Sequence, residues 1–210
     1  MINYTPKLFL IVGSPASGKD ELIRAVSTLG KLHAAIVPKH TTRRWQAGDG
    51  DEMICREIID KNGEYILNPN YHMENCDIQY CNYGTQYGVR STEIWDGLRA
   101  GIHQVLVVSN VNALNALKRI FGGLAIALYI FSDVSKEQYI QNEIRKLKRK
   151  GLSEDTISEE YMRKREENFD MAWNLYVDNF MLFDHVFIFA GRDEDLYDQI
   201  FRLFRYYENR

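Results

Sequence analysis

The sequence predicts an α/β fold in which helices cover both faces of an open, largely parallel sheet. Three observations predict it. Short apolar runs alternate along the chain with stretches of helical spacing. The runs are continuously apolar rather than alternating, as strands buried on both faces should be. The rhythm is broken in two places only, at residues 39–88 and 145–168, which suit excursions from one core better than separate domains.

The first run, residues 8–12 (LFLIV), ends at Gly13 and reads as a buried strand. Leu22, Ile23, Val26 and Leu29 then recur at helical spacing. Residues 39–88 are polar and aromatic with no sustained helical period, which predicts a lobe of short strands and turns. A helix is expected over residues 92–100, followed by a second strand at 105–108. A helix at 113–121 leads to a third strand at 124–131. The densely charged stretch 145–168 (RKLKRKG, then SEDTISEEYMRKREEN) predicts a pair of solvated helices. A fourth strand at 185–190 precedes an amphipathic tail at 196–207.

Composition removes several function classes. The chain has 210 residues and a net charge of −3, so no global positive field points to nucleic acid or an anionic membrane surface. Cys55, Cys76 and Cys81 are odd in number and form no CxxC pair, which argues against a disulfide scaffold and a four-ligand zinc site. The histidines His33, His40, His72, His103 and His185 show no metal-ligand spacing. The apolar runs are too short to span a bilayer, and the start MINYTPK lacks the order of a secretory leader. A reducing, cytoplasmic compartment is the expectation.

One motif carries chemistry. Gly13-Ser14-Pro15-Ala16-Ser17-Gly18-Lys19 matches the P-loop pattern GxxxxGK, between a predicted strand and a predicted helix. Glycines let successive backbone amides turn inward around a phosphate, and the helix points its positive end at the same place. Residues 13–20 are therefore expected to bind ATP, with Lys19 placing a charge on the transferring phosphoryl group. A Ser or Thr normally follows the lysine and ligates Mg²⁺; here Asp20 stands there. A carboxylate is favourable at a helix N-terminus, and oxygen ligation suits Mg²⁺, so Asp20 is the expected metal ligand.

Three further segments make the chain resemble the guanylate kinase family from about residue 8 to residue 207. His40-Thr41-Thr42-Arg43, followed by Ala47-Gly48-Asp49, resembles the acceptor-phosphate segment. Tyr87-Gly88, followed by a helix from Ser91, resembles the acceptor-binding turn. Lys148-Arg149-Lys150-Gly151, with Arg163 and Arg165, resembles the arginine-bearing lid. The resemblance implies a three-layer P-loop kinase fold with a central parallel sheet, a small acceptor-binding lobe and a helical lid. It divides a single 1–210 domain into a core (1–38, 91–140, 184–210), an acceptor lobe (39–90) and a lid (141–183).

The same resemblance implies an ATP- and Mg²⁺-dependent phosphotransferase with GMP as the default acceptor. Arg43 is then the acceptor-phosphate ligand, and Tyr87 offers it a hydroxyl. Arg149, Arg163 and Arg165 are the catalytic candidates of the lid, at least one of them stabilising charge on the transferred group. An acceptor phosphate oxygen is already anionic, so no general base is needed. No membrane or nucleic-acid partner is implied.

Departures cluster in the acceptor site. Gln46 replaces a second phosphate-binding arginine. Gln79 aligns, across one gap, with the glutamate that reads guanine, and Val89 replaces the hydroxyl after the Tyr-Gly turn. Val107-Val108-Ser109-Asn110 replaces an acidic strand end. Gln79, Gly88 and Val89 are nonetheless the positions expected to meet the acceptor beside Arg43 and Tyr87. Gly18-Lys19-Asp20, the missing arginine and Tyr87-Gly88-Val89 also resemble ribose 1,5-bisphosphate phosphokinases, an alternative within the same chemistry. A non-catalytic guanylate-kinase-like binding module is a further alternative, which Lys19 and the basic lid count against.

Overall fold

The computed structural model describes residues 4–28, 33–46, 49–50, 52–82, 84–149 and 158–209. The first half of the chain runs β1 (Leu8–Gly13), α1 (Lys19–Thr28), β2 (Ala34–Ile36), β3 (Lys39–Arg44), β4 (Met53–Ile59), β5 (Tyr65–Leu67), β6 (Ile78–Asn82) and β7 (Thr85–Val89). The second half runs α2 (Ser91–Arg99), β8 (His103–Val107), α3 (Val111–Phe121), β9 (Ala125–Ser132), α4 (Lys136–Arg149), α5 (Glu159–Asn179), β10 (His185–Phe189) and α6 (Asp193–Glu208).

One sheet has the order β10-β9-β1-β8-β2, and every pair in it is parallel. β1 lies at its centre with all six residues buried, which is why its sequence is apolar without alternation. Its side chains still divide by face. Leu8, Leu10 and Val12 join Ile94 and Leu98 of α2 and Leu114 and Leu117 of α3. Phe9 and Ile11 join Leu22 and Val26 of α1 and Leu196, Ile200 and Phe204 of α6. Helix, sheet and helix make the three layers the sequence predicts.

The other sheet has the order β5-β4-β3-β7-β6 and is built from residues between Lys39 and Val89. β3 pairs parallel with β4 and antiparallel with β7, with an irregular register after Thr41. The β6–β7 hairpin closes the far edge. Gly88 is required there, because a Cβ would meet Met73 Sδ and fall 2.7 Å from Cys76 Cβ.

The charged stretch forms parts of two helices, as its charge density predicts, with different limits. α4 starts at Lys136, ahead of the charges, because Tyr139 and Glu143 turn inward. α5 runs on to Asn179, because its second half is core: Ala172 is buried, and its carbonyl accepts a 2.7 Å hydrogen bond from Tyr129. Ser158 caps α5 by accepting from the Tyr161 amide. β2 is a difference from expectation, since three half-buried residues at a sheet edge carry little apolar signal. No helix among the described residues is long and apolar enough to cross a membrane.

Candidate active site

β1 delivers the chain to Gly13 at the C-terminal edge of the parallel sheet, where open α/β folds bind ligands. Gly13 has no steric alternative: a Cβ would lie 2.5 Å from Ser17 Oγ and 2.6 Å from the Ile130 carbonyl. Ala16 and Gly18 both take left-handed backbone conformations, with φ of 58° and 82°. Such residues curl a loop so that its amides converge on one point. α1 then begins with Leu22 N–H donating to the Gly18 carbonyl.

Lys19 folds back over this loop. Its Nζ donates to the carbonyls of Gly13 (3.1 Å) and Ser14 (2.6 Å) and to Ser17 Oγ (3.3 Å). Burial lowers its pKa to about 8, against the raising effect of Asp20 and Glu21. Ser14 and Ser17 are buried, Pro15 is half-buried and Ala16 is exposed, so the loop shows cleft-facing backbone rather than side chains.

Three cavities touch the lysine among the described residues; one of about 430 Å³ is also lined by Asp20, Glu143 and Arg165. Two others complete the set. One, about 530 Å³, lies between the loop, α4 and the end of β10, and is lined by Lys19, Asp20, Tyr139, Glu143, Arg145 and Phe189. The other, about 270 Å³, lies between the loop and α5, and its lining includes Gly13, Lys19, Asn82, Ser109, Arg165 and Asn168. Arg165 of α5 and Lys19 of the loop thus line the same cavity. The Arg165 Nε sits 3.5 Å from Glu143 Oε2, and its guanidinium lies 4.9 Å from the Tyr161 ring centre.

The other lid arginines differ. Arg163 is exposed and bonds Glu167 at 2.9 Å, one turn along its own helix, so it lines none of these cavities. Arg149 ends α4, and its side chain lies outside the described residues, as does the stretch 150–157.

The second sheet contributes Arg43 and Tyr87. Arg43 donates from both terminal nitrogens to Asp49, at 2.8 Å to Oδ2 and more closely to Oδ1. Tyr87 stacks on Tyr80 with ring centres 5.5 Å apart, and burial raises its pKa against the opposing effect of Arg43.

Of the positions expected at the acceptor, Gln79 and Gly88 lie on the opposite face of the hairpin from Tyr87, and Val89 is buried. Tyr80 pairs with Tyr87 and Gln79 with Gly88, and strand alternation puts the two pairs on opposite faces. Gln79 Nε2 is spent there, donating at 3.0 Å to the carbonyls of Met73 and Cys76. Gly88 packs against the same segment. Val89 is fully buried in the core cluster with Ile78 and Ile94. The residue that shares the tyrosine face at the hairpin's start is Ile78, which is apolar and buried.

Mg²⁺, which the P-loop motif implies, fits the donor set. Asp20 is exposed and lines the 530 Å³ cavity with Lys19, so its carboxylate is open to a cation. Among the described residues no group of three His, Cys, Asp or Glu gathers as a closed cage. One carboxylate, with phosphate and water oxygens completing the shell, is a common Mg²⁺ arrangement.

Lys39, Tyr139 and Glu143 escaped the motif reading. Lys39 stands two residues before Thr41 on β3, so a period of two was the available signal. Tyr139 and Glu143 are four apart on α4 and share one face of it.

No protein-family model and no curated protein sequence matches the chain. Among solved structures, guanylate kinase from Anaplasma phagocytophilum is similar with a TM-score of 0.63. The match covers 100% of this chain and 90% of that one at 12% sequence identity, which shows a shared fold.

Proposed function

We propose that the chain is a P-loop kinase that moves the γ-phosphoryl group of ATP, with Mg²⁺, to a small phosphate-bearing acceptor. The observation that carries this is that Lys19 of the loop and Arg165 of α5 line one cavity. Two converging cations are what a dispersing phosphoryl charge requires. An interaction scaffold has no use for them.

In this scheme the loop amides of residues 13–18 and Lys19 hold the donor phosphates, and the 530 Å³ cavity takes the rest of the nucleotide. Asp20 would hold Mg²⁺, which neutralises charge on the β and γ phosphates when bound. The lobe built on β3 and β7 orients the acceptor through Arg43 and Tyr87. An acceptor phosphate oxygen forms a new bond to the γ phosphorus as the bridging β–γ oxygen bond breaks, and ADP leaves. Arg165 stabilises the equatorial oxygens, and the lid formed by α4 and α5 excludes water. A cytoplasmic place belongs to the same proposal.

GMP is the default acceptor by fold likeness. Ribose 1,5-bisphosphate is the second, and one observation favours it. Gln79 lies on the far face with its amide nitrogen tied to backbone carbonyls, and Ile78 occupies the near one, so the tyrosine face carries an apolar residue where a base reader is expected.

The test is a coupled ADP-release assay with ATP and Mg²⁺ against GMP, dGMP, AMP, UMP, CMP and ribose 1,5-bisphosphate. At least one acceptor should turn over, and Lys19→Met should lower that rate about a hundredfold or more with the fold intact. No acceptor-dependent ADP release, or an unaffected Lys19→Met protein, would overturn the kinase assignment.

A further inference from the structure

One buried cation has no part in that phosphoryl transfer. Lys39 is only 8% exposed, although lysine is among the residues least often buried. It opens β3, and its Nζ donates a 2.9 Å hydrogen bond to the carbonyl of Val107, the last residue of β8. Val107 is paired with Ile11 of β1, two residues before Gly13. Lys39 thus reaches from the second sheet onto the edge of the first, beside the P-loop.

Its neighbours include the residues proposed to hold the acceptor. Thr41, two residues on, pairs with Tyr87, so alternation puts Lys39 on the tyrosine face of the second sheet. The ammonium lies 5.7 Å from the Tyr87 ring centre. Glu52, Arg43, Lys19 and Asp20 all act on it electrostatically. An ammonium has three donors, and among the described residues the Val107 carbonyl accepts from one of them. Glu52 and Asp20 offset part of the repulsion that Lys39 meets from Lys19 and Arg43, and a bound anion would offset more of it. A strut between two sheets could be made by an uncharged donor at lower cost.

We propose that Lys39 is an acceptor-phosphate ligand, completing with Arg43 and Tyr87 a grip on the anionic group that meets the donor's γ-phosphoryl. This rests on the kinase reading and deepens it by naming the residue that holds the acceptor's phosphate beside the P-loop. Lys39 occupies the side of the cleft nearest the P-loop, so it holds the attacking phosphate close to Lys19. Arg43, turned towards Asp49, holds the outer side.

The test uses the full chain and its Lys39→Met and Lys39→Arg variants. Steady-state kinetics are run with the best acceptor. Equilibrium binding of inorganic phosphate is measured with the donor site filled by Mg²⁺ and a non-hydrolysable ATP analogue. Lys39→Met should raise the acceptor KM and weaken phosphate binding about tenfold or more, leaving the KM for ATP within about twofold. Lys39→Arg should recover most of the loss, since charge is what binds.

An unchanged acceptor KM and phosphate affinity in a folded Lys39→Met protein would overturn the proposal. Lowered thermal stability with unchanged KM would do the same and leave a strut. If Lys39→Met does not fold, wild-type protein labelled with ¹³C at lysine Cε is titrated with phosphate, and the Lys39 signal is assigned by its loss in Lys39→Arg. That signal should move, and a stationary one counts against the proposal. The phosphate titration needs no turnover, so it stands or falls separately from the kinase assignment.

Discussion

Arg43 and Asp49 meet through two parallel N–H···O contacts, Nη1 to Oδ2 at 2.8 Å and Nη2 to Oδ1. The pair is six residues apart and bridges the connection from β3 to β4. Asp49 also accepts from the Gln46 amide at 2.8 Å and from Cys55 Sγ at 3.6 Å. A carboxylate so occupied fixes the plane of the guanidinium. The residue proposed to grip a phosphate is therefore oriented by the protein itself, which lowers the entropy lost on binding.

The pair predicts acid sensitivity. Burial opposes ionisation of Asp49, but the Arg43 hydrogen bonds, the Gln46 amide and the Arg43 charge together hold its pKa below the usual value. A depressed carboxyl stabilises the fold above its unfolded pKa and loses that contribution as pH falls through the folded one. Asp49→Asn should cost roughly 1–3 kcal/mol at neutral pH, and its gap from wild type should shrink below about pH 4. Thermal melts from pH 3 to 7 check this, and a gap independent of pH would refute it.

Arg163 and Arg165 should separate cleanly. Arg165→Ala removes the charge that shares a cavity with Lys19 and should lower kcat about a hundredfold or more. Arg163→Ala removes only an exposed pair with Glu167, worth about 0.3–0.5 kcal/mol, and should leave kcat within about twofold. Comparable losses in the two variants would mean that the lid closes in a different helical phase.

Asp20→Ser should change the metal requirement. A serine hydroxyl is a neutral ligand where Asp20 offers a carboxylate, so the Mg²⁺ concentration for half-maximal rate should rise several-fold, by about threefold or more. Titrating Mg²⁺ at saturating ATP decides it. An identical curve would leave Asp20 as a helix-terminal charge alone.

Gln79→Glu should cost stability without creating guanine selectivity. Its amide donates to the Met73 and Cys76 carbonyls, and a carboxylate there would face two acceptors with nothing to donate. The expected loss is about 0.5–1.5 kcal/mol, with the ratio of GMP to AMP turnover unchanged. Adding Val89→Ser would bury a hydroxyl in the core and deepen the loss. A clear rise in GMP preference would show that the hairpin pairs in another register.

The local parts of this fold were legible because their constraints are local. Gly13 and Gly18 bend one loop, and Lys19 sits next to it in the chain. β1 must be continuously apolar because it is buried on both faces. The β6–β7 hairpin was not legible at single-residue precision. Its side chains alternate with a period of two, so a one-residue error exchanges Gln79 for Ile78 and the far face for the near one.

The sequence by itself determined an α/β layered core, a phosphate-type loop at a strand end and a surplus of cations near it. Tertiary structure alone decided which cations meet. Arg163 and Arg165 are two residues apart, which on a helix turns them about 200° from one another, so one pairs with Glu167 in solvent while the other lines a cavity with Lys19. Lys39 lies twenty residues from Lys19 in the chain and reaches its neighbourhood only because β3 leaves one sheet against the end of the other. Charge convergence is a long-range property, set by how the two sheets and the helix α5 pack, and no local pattern records it.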